Sequence, residues 1–118
     1  MLKHTPELVL GNIFIRPNLL TQKGDVLDGH THNFDHTTYV VKGSVHVKAT
    51  DKAGTITEKD FTAGQMFLVL AETCHVISAL EDNTEFHCIY SHRDPQGRVS
   101  VDYTGWGTAY ALQYKERC

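Results

Sequence analysis

Apolar residues alternate with polar ones in short runs, and no helical period of useful length appears before the last quarter of the chain. Gly, Asn and Asp separate the runs at intervals of roughly 8–12 residues, as in a sandwich or barrel of short strands. The alternation predicts strands over Leu8–Ile15, Val26–His32, Thr37–Val41, Ser44–Ala49, Thr55–Phe61, Gln65–Leu70, His75–Ala79 and Glu85–Ser91. Lys42-Gly43 and Ala63-Gly64 read as turns and Asp51–Gly54 as a hairpin tip. Pro17 and Pro95 are expected in loops, where the missing N–H costs nothing. Past Ser91 come a polar turn at His92–Gly97, a strand over Val99–Tyr103 and a Gly105-Trp106-Gly107 bend. The tail Thr108–Glu116 suits either a strand or a short helix. There is no repeat, linker or low-complexity stretch, so the reading is one all-β domain over residues 1–118, with 92–118 as a short C-terminal extension.

Composition narrows the classes. A chain of 118 residues with 41% hydrophobic and 21% charged residues has the makings of one ordinary globular core. A net charge of −3 with scattered Lys and Arg speaks against nucleic acid as a partner, since that needs a clustered basic face. No apolar run approaches the roughly 20 residues of a membrane helix, and the first ten residues do not read as a signal peptide. Cys74, Cys88 and Cys118 make an odd number in a chain large enough to hold together without cross-links. The expectation is free thiols in a reducing cytoplasm.

Histidine carries the chemistry. On a strand, His30 and His32 share a face, close enough to grip one ion from the same side. His36 follows at another even offset after a segment that can turn, and His75 arrives from a distant strand to close the site. Asp35 is a weaker alternative to His36, because its odd offset from His32 turns it to the other face of an extended chain. Imidazole nitrogen suits divalent first-row metals, so one ion of Fe, Mn, Ni, Cu or Zn is expected. Four neutral donors leave its full charge in place. An octahedral ion would keep two adjacent positions open for substrate, whereas a structural zinc site would be closed by its four ligands.

The stretch from Gly24 through His30-Thr31-His32, His36 and Gly43 resembles the first motif of the cupin superfamily, with His36 where Glu is usual. Gly64 and His75 fall at the separation of the second motif, with Leu70, Glu72 and Ala79 where Pro, Gly and Asn are usual. The resemblance covers about residues 24–79. It implies a double-stranded β-helix (jelly-roll) barrel, often a homodimer, with a metal near one open end. In a dimer of that kind, Leu8–Ile15 would be the strand that pairs with the second subunit.

Alternation from the ligands turns Thr38, Val40, Ile77 and Ala79 towards the barrel interior, giving a small, largely apolar pocket. Cys74 should face away from the metal as a buried thiol, while Cys88 fits either phase. His46 and His87 read as surface or satisfied strand histidines; Arg16, Arg93 and Arg98 read as solvated charges that could anchor an anion at the barrel mouth. Tyr90, Phe86 and Trp106 fit core or pocket wall. Three functions are compatible with these residues. One is a metal-dependent, dioxygenase-like oxidoreductase acting on a small oxygen-bearing or anionic substrate. Another is a metal-dependent lyase or isomerase that uses the ion only to polarise a carbonyl, and the third is a non-catalytic binding module.

Overall fold

The computed structural model describes residues 2–4, 8–10, 12–32, 35–91 and 115–117; of residues 4, 8–10, 29, 30, 32 and 115–117 it describes the backbone alone. Eleven strands are found among them and no helix: β1 (Leu2–His4), β2 (Leu8–Leu10), β3 (Ile13–Leu20), β4 (Val26–His32), β5 (His36–Lys42), β6 (Ser44–Thr50), β7 (Ile56–Thr62), β8 (Met66–Val69), β9 (Cys74–Ala79), β10 (Thr84–Ser91) and β11 (Lys115–Arg117). They form two antiparallel sheets. One has the order β1-β3-β10-β5-β8, with β2 also on β3, and the other the order β11-β4-β9-β6-β7.

From β3 to β10 every connection crosses from one sheet to the other, except the β6–β7 hairpin. That winding is the jelly roll. Strict alternation supplies the core: β9 and β10 bury every second residue, and Leu20, Val40, Val45, Ile77 and Phe86 are wholly enclosed between the sheets. Strand β7, at one sheet edge, is exposed along its length apart from Phe61 and carries Glu58, Lys59 and Asp60. Charges on an edge strand discourage pairing with another chain.

Gly43 turns one sheet-to-sheet corner with φ +79, and a Cβ there would meet Thr84 Oγ1 and lie 3.0 Å from the Thr84 Cα. Only glycine fits without displacing the β9–β10 connection. At the next corner but one, Glu72 occupies the left-handed region, at φ 62.

Three sequence expectations are corrected. Leu8–Ile15 is not one strand: Leu8–Leu10 and the start of β3 pair with each other antiparallel, with Leu10 opposite Ile13. Pro17 lies inside β3 rather than in a loop, opposite His87. It falls between the stretches of β3 paired by β2 (residues 13–15) and by β1 (18–20), where β3 has only β10 beside it among the described residues. An unpaired flank tolerates proline. Cys74 is not a free thiol but disulfide-bonded, to a residue outside those described. Its half-buried place at the start of β9 leaves the sulfur accessible to a partner, and the cysteine count no longer argues for a reducing compartment. Cys88 is free and buried. The turn at 92–97, the strand at 99–103, the 105–107 bend and all of the C-terminal extension except β11 lie outside the described residues.

Candidate metal centre

The interior end of the barrel is built by β5 and β9, which belong to different sheets. His36 opens β5 beside Val69 of β8, and His75 lies in β9 beside Ala49 of β6. Both are buried, at 3% and 1% exposure, and their rings face each other edge-on with centroids 5.6 Å apart. A ring whose nitrogen binds an ion at about 2.1 Å has its centroid roughly 3.3 Å from that ion, so two ligating rings stay within about 6.5 Å of each other. The observed separation fits a shared ion.

The hydrogen bonds agree with that fit. His36 Nδ1 lies 3.4 Å from the Thr37 carbonyl oxygen and His75 Nδ1 lies 3.5 Å from that of Thr73. A carbonyl only accepts, so these contacts favour the neutral tautomer protonated at Nδ1, the form in which an imidazole ligates through Nε2. These bonds are long, and their part is to set tautomer and tilt.

His30 and His32 come from β4, and their placement depends on a bulge. Leu27 pairs with Ile77 and His30 with His75, so three residues of β4 span two of β9. The extra residue shifts the register by one and brings position 30, rather than 29, opposite His75. On its other side β4 is paired by β11, with Lys115 at His32 and Arg117 at His30. Thus His36 and His75 meet as side chains, and position 30 joins them by backbone register. No group of three or more potential ligand side chains is found among the described residues, and the side chains of His30 and His32 are not among these.

Around the two rings the wall is aromatic and weakly polar. The Tyr90 ring lies 6.1 Å from His36 and stacks on Phe14 at 4.7 Å. Thr38 Oγ1 and Asn18 Nδ2 approach Cys88 Sγ at 3.9 and 3.7 Å, which fixes Cys88 in the inward phase. Thr38, Val40, Ile77 and Ala79 are all buried, the last three within the apolar core. Arg16 differs from the solvated charge expected of it. It occupies the inward phase of β3 between Phe14 and Asn18, half-buried, with its Cζ 6.0 Å from the Phe14 ring.

The other expected candidates lie away from this centre. Asp35 is exposed and accepts the Ala71 N–H. His87 bonds Glu85 at 2.7 Å. His46 sits on the outer face, its Nδ1 2.6 Å from Asp60 and its Nε2 3.0 Å from Glu58; bonding to Glu58 first and Asp60 second raises its pKa above the usual 6.5. His92, Arg93, Arg98 and Trp106 lie outside the described residues. A cavity of about 270 Å³ between β6–β7 and β8, lined by Ala49 and Val69, the cross-strand neighbours of the two histidines, but by neither ring, was not foreseen. Its lining comes from three strands and two turns, so no local motif announces it.

A family model described as Cupin matches residues 3–112. Among solved structures, the chain is similar to oxalate decarboxylase from Bacillus subtilis at pH 4.6, with 25% identity over 69% of this chain and 21% of that one, TM-score 0.63. A structure of the same enzyme concerned with its Mn(II) centres gives 26% identity, the same coverage and TM-score 0.63. A multiple mutant of it, at 23% identity over 80% of this chain and 23% of that one, TM-score 0.64, shows likeness of fold alone. The chain spans about a fifth of the length of these neighbours. No curated protein sequence matches it.

Proposed function

The chain belongs to the cupin family, and from that premise we propose that it is a metal-dependent oxidoreductase, with one divalent first-row ion held by His30, His32, His36 and His75. The reading is carried by one observation: two buried imidazoles from opposite sheets, 5.6 Å apart, each with Nδ1 turned to a backbone carbonyl. The likeness to an enzyme whose Mn(II) centres have been studied supports a metal of this class. The ion would act as Lewis acid and template for a small oxygen-bearing or anionic substrate. The chain's own part is to orient the ligands through the Thr37 and Thr73 carbonyls and to exclude water with the Phe14–Tyr90 stack. With His36 in place of a carboxylate, the donor set is neutral, so an anionic substrate would supply the balancing charge.

The test is elemental analysis of the natively expressed protein and of His36→Ala and His75→Ala. About one ion per chain is expected in the parent and a loss of at least tenfold in each variant; full retention in both variants refutes the site. Oxygen consumption with diketone, flavonol, phenol and thiol substrates then tests the oxidoreductase assignment. The likeness to a decarboxylase favours a second reading, a metal-dependent lyase. Turnover with Zn(II) in the absence of O₂ would select it.

A further inference from the structure

The cavity beside the histidines opens between β7 and β8, the last strands of the two sheets, which do not pair with each other. Val47, Ala49, Phe67 and Val69 make its walls, and Phe67 is backed by its stack with Phe61 at 4.5 Å. Its polar lining is Asp51, Thr55, Thr57 and Thr73. The turns that carry this rim are held in place: Asp51 accepts the Thr55 and Gly54 N–H groups, and Lys52 reaches Glu72 at 3.8 Å, joining the 51–55 turn to the 71–73 turn.

Register ties the cavity to the candidate metal centre. Ala49 is the cross-strand partner of His75, and Val69 is that of His36. Both wall residues share the inward phase of their histidines, so the cavity lies alongside the two rings rather than behind them. We infer that this cavity holds the apolar part of a small-molecule substrate of about six to nine carbons, with its oxygen-bearing head at His36 and His75. The inference rests on the metal reading for the head and on the cavity alone for the tail.

Size and chemistry set the occupant. A dry apolar cavity of about 150 Å³ accommodates benzene, so about 270 Å³ suits a longer alkyl or an aryl-alkyl group. Walls of Val, Ala and Phe offer nothing to a second carboxylate, so a small dianion would leave the space unused. The rim carries threonine hydroxyls and the Asp51 carboxylate, so it is polar and disfavours a second anionic group while leaving the apolar walls to a hydrocarbon chain.

Straight-chain alkanols test the tail site without the metal. In protein treated with a chelator, binding of ethanol, 1-butanol, 1-hexanol and 1-octanol is followed by shifts of the Val47, Ala49 and Val69 amide resonances. Each methylene drawn into the cavity should tighten binding about fourfold, up to six to nine carbons, and then level off. Thr57→Trp, an exposed change on the rim, should weaken 1-hexanol binding at least tenfold; Ile56→Trp, on the opposite face of β7, should not. No dependence on chain length, or equal effects of the two tryptophans, overturns the inference and leaves the metal reading intact. Mn(II) should then strengthen hexanoate binding without affecting 1-hexanol. A chain-length gradient with no Mn(II) gain for hexanoate overturns the metal reading and the head placement, leaving an apolar site only.

Discussion

Replacing Gly43 by alanine measures how tightly the jelly roll is closed at a sheet-to-sheet corner. Two costs add. A residue with a Cβ at φ +79 forfeits roughly 1–2 kcal/mol to the left-handed region. The new methyl also falls on Thr84 Oγ1 and within 3.0 Å of the Thr84 Cα and Cβ. That neighbour cannot step aside: Thr84 is fully buried, and its hydroxyl donates to the Glu81 carbonyl at 3.0 Å and lies 3.4 Å from that of Ser44. Overpacking of this kind costs about 1–3 kcal/mol, so the total is roughly 2–5 kcal/mol in a domain whose whole stability is on the order of 5–15 kcal/mol. Gly64→Ala separates the two terms, because Gly64 has φ +90 and open space where the methyl would go. It should show the backbone cost alone. The assay is urea unfolding followed by far-UV circular dichroism, with the slope on denaturant unchanged across variants. A Thr84→Ala change in the Gly43→Ala background should return part of the loss, since the hydroxyl is the closest obstacle. If Gly43→Ala and Gly64→Ala fall within about 0.5 kcal/mol of each other, which is the ordinary limit of additivity, the close approach to Thr84 has no energetic weight and the reasoning fails.

Other outcomes follow from the same structure. Glu72→Gly should raise stability by up to about 1 kcal/mol, because φ 62 suits glycine and the exposed Lys52 partner lost with it is worth less than that; Glu72→Ala should bring no such gain in the same urea titration. The His46 ring resonances should titrate above 6.5, and Glu58→Gln and Asp60→Asn should each bring the midpoint down. With its folded pKa raised, the stability from protonated His46 is fully present below about 6.5 and is lost as pH rises through the folded value, so unfolding midpoints of parent and Glu58→Gln should converge on the alkaline side. Alkylation read by mass spectrometry should leave Cys88 untouched in the native protein and reach Cys74 only after reduction.

What could be read from the sequence was whatever is periodic within a strand. The alternation through His75–Ala79 and Glu85–Ser91 gave both the strands and the inward phase, since burial of every second residue is a local property. Thr38, Val40, Ile77 and Ala79 were legible as interior for that reason. Whatever depends on a partner was not. Lys42-Gly43 reads as a turn in either case, and nothing local says that it joins different sheets rather than two strands of one. Pro17 reads as a break until the gap between its neighbours' pairings is known. The bulge after Leu27 is marked only by Gly29, a residue type that bulges favour, and that mark does not say how far the register moves, although the shift decides which β4 residues stand level with His75. Glu72 in the left-handed region is a second such case: its side chain gives no hint of the backbone it must adopt.

The geometry of the candidate centre follows from where its two described histidines sit. His36 and His75 lie in different sheets, so their separation is set by the thickness of the core and not by the cross-strand spacing within a sheet. Packed sheets stand about 10 Å apart, and two imidazoles reaching inward from opposite sides cover most of that distance, which leaves room for one ion between their nitrogens. The layer that holds the sheets at this spacing includes Val47, Val69 and Phe67, the same residues that wall the cavity. Core thickness, ring separation and cavity width are therefore one variable in this fold. A larger side chain at Val47 or Val69 would close the cavity and spread the histidines together, whereas a change on the exposed rim at Thr57 touches the cavity alone. For that reason the rim, and not the wall, is where tail binding can be altered without disturbing the grip of the two imidazoles.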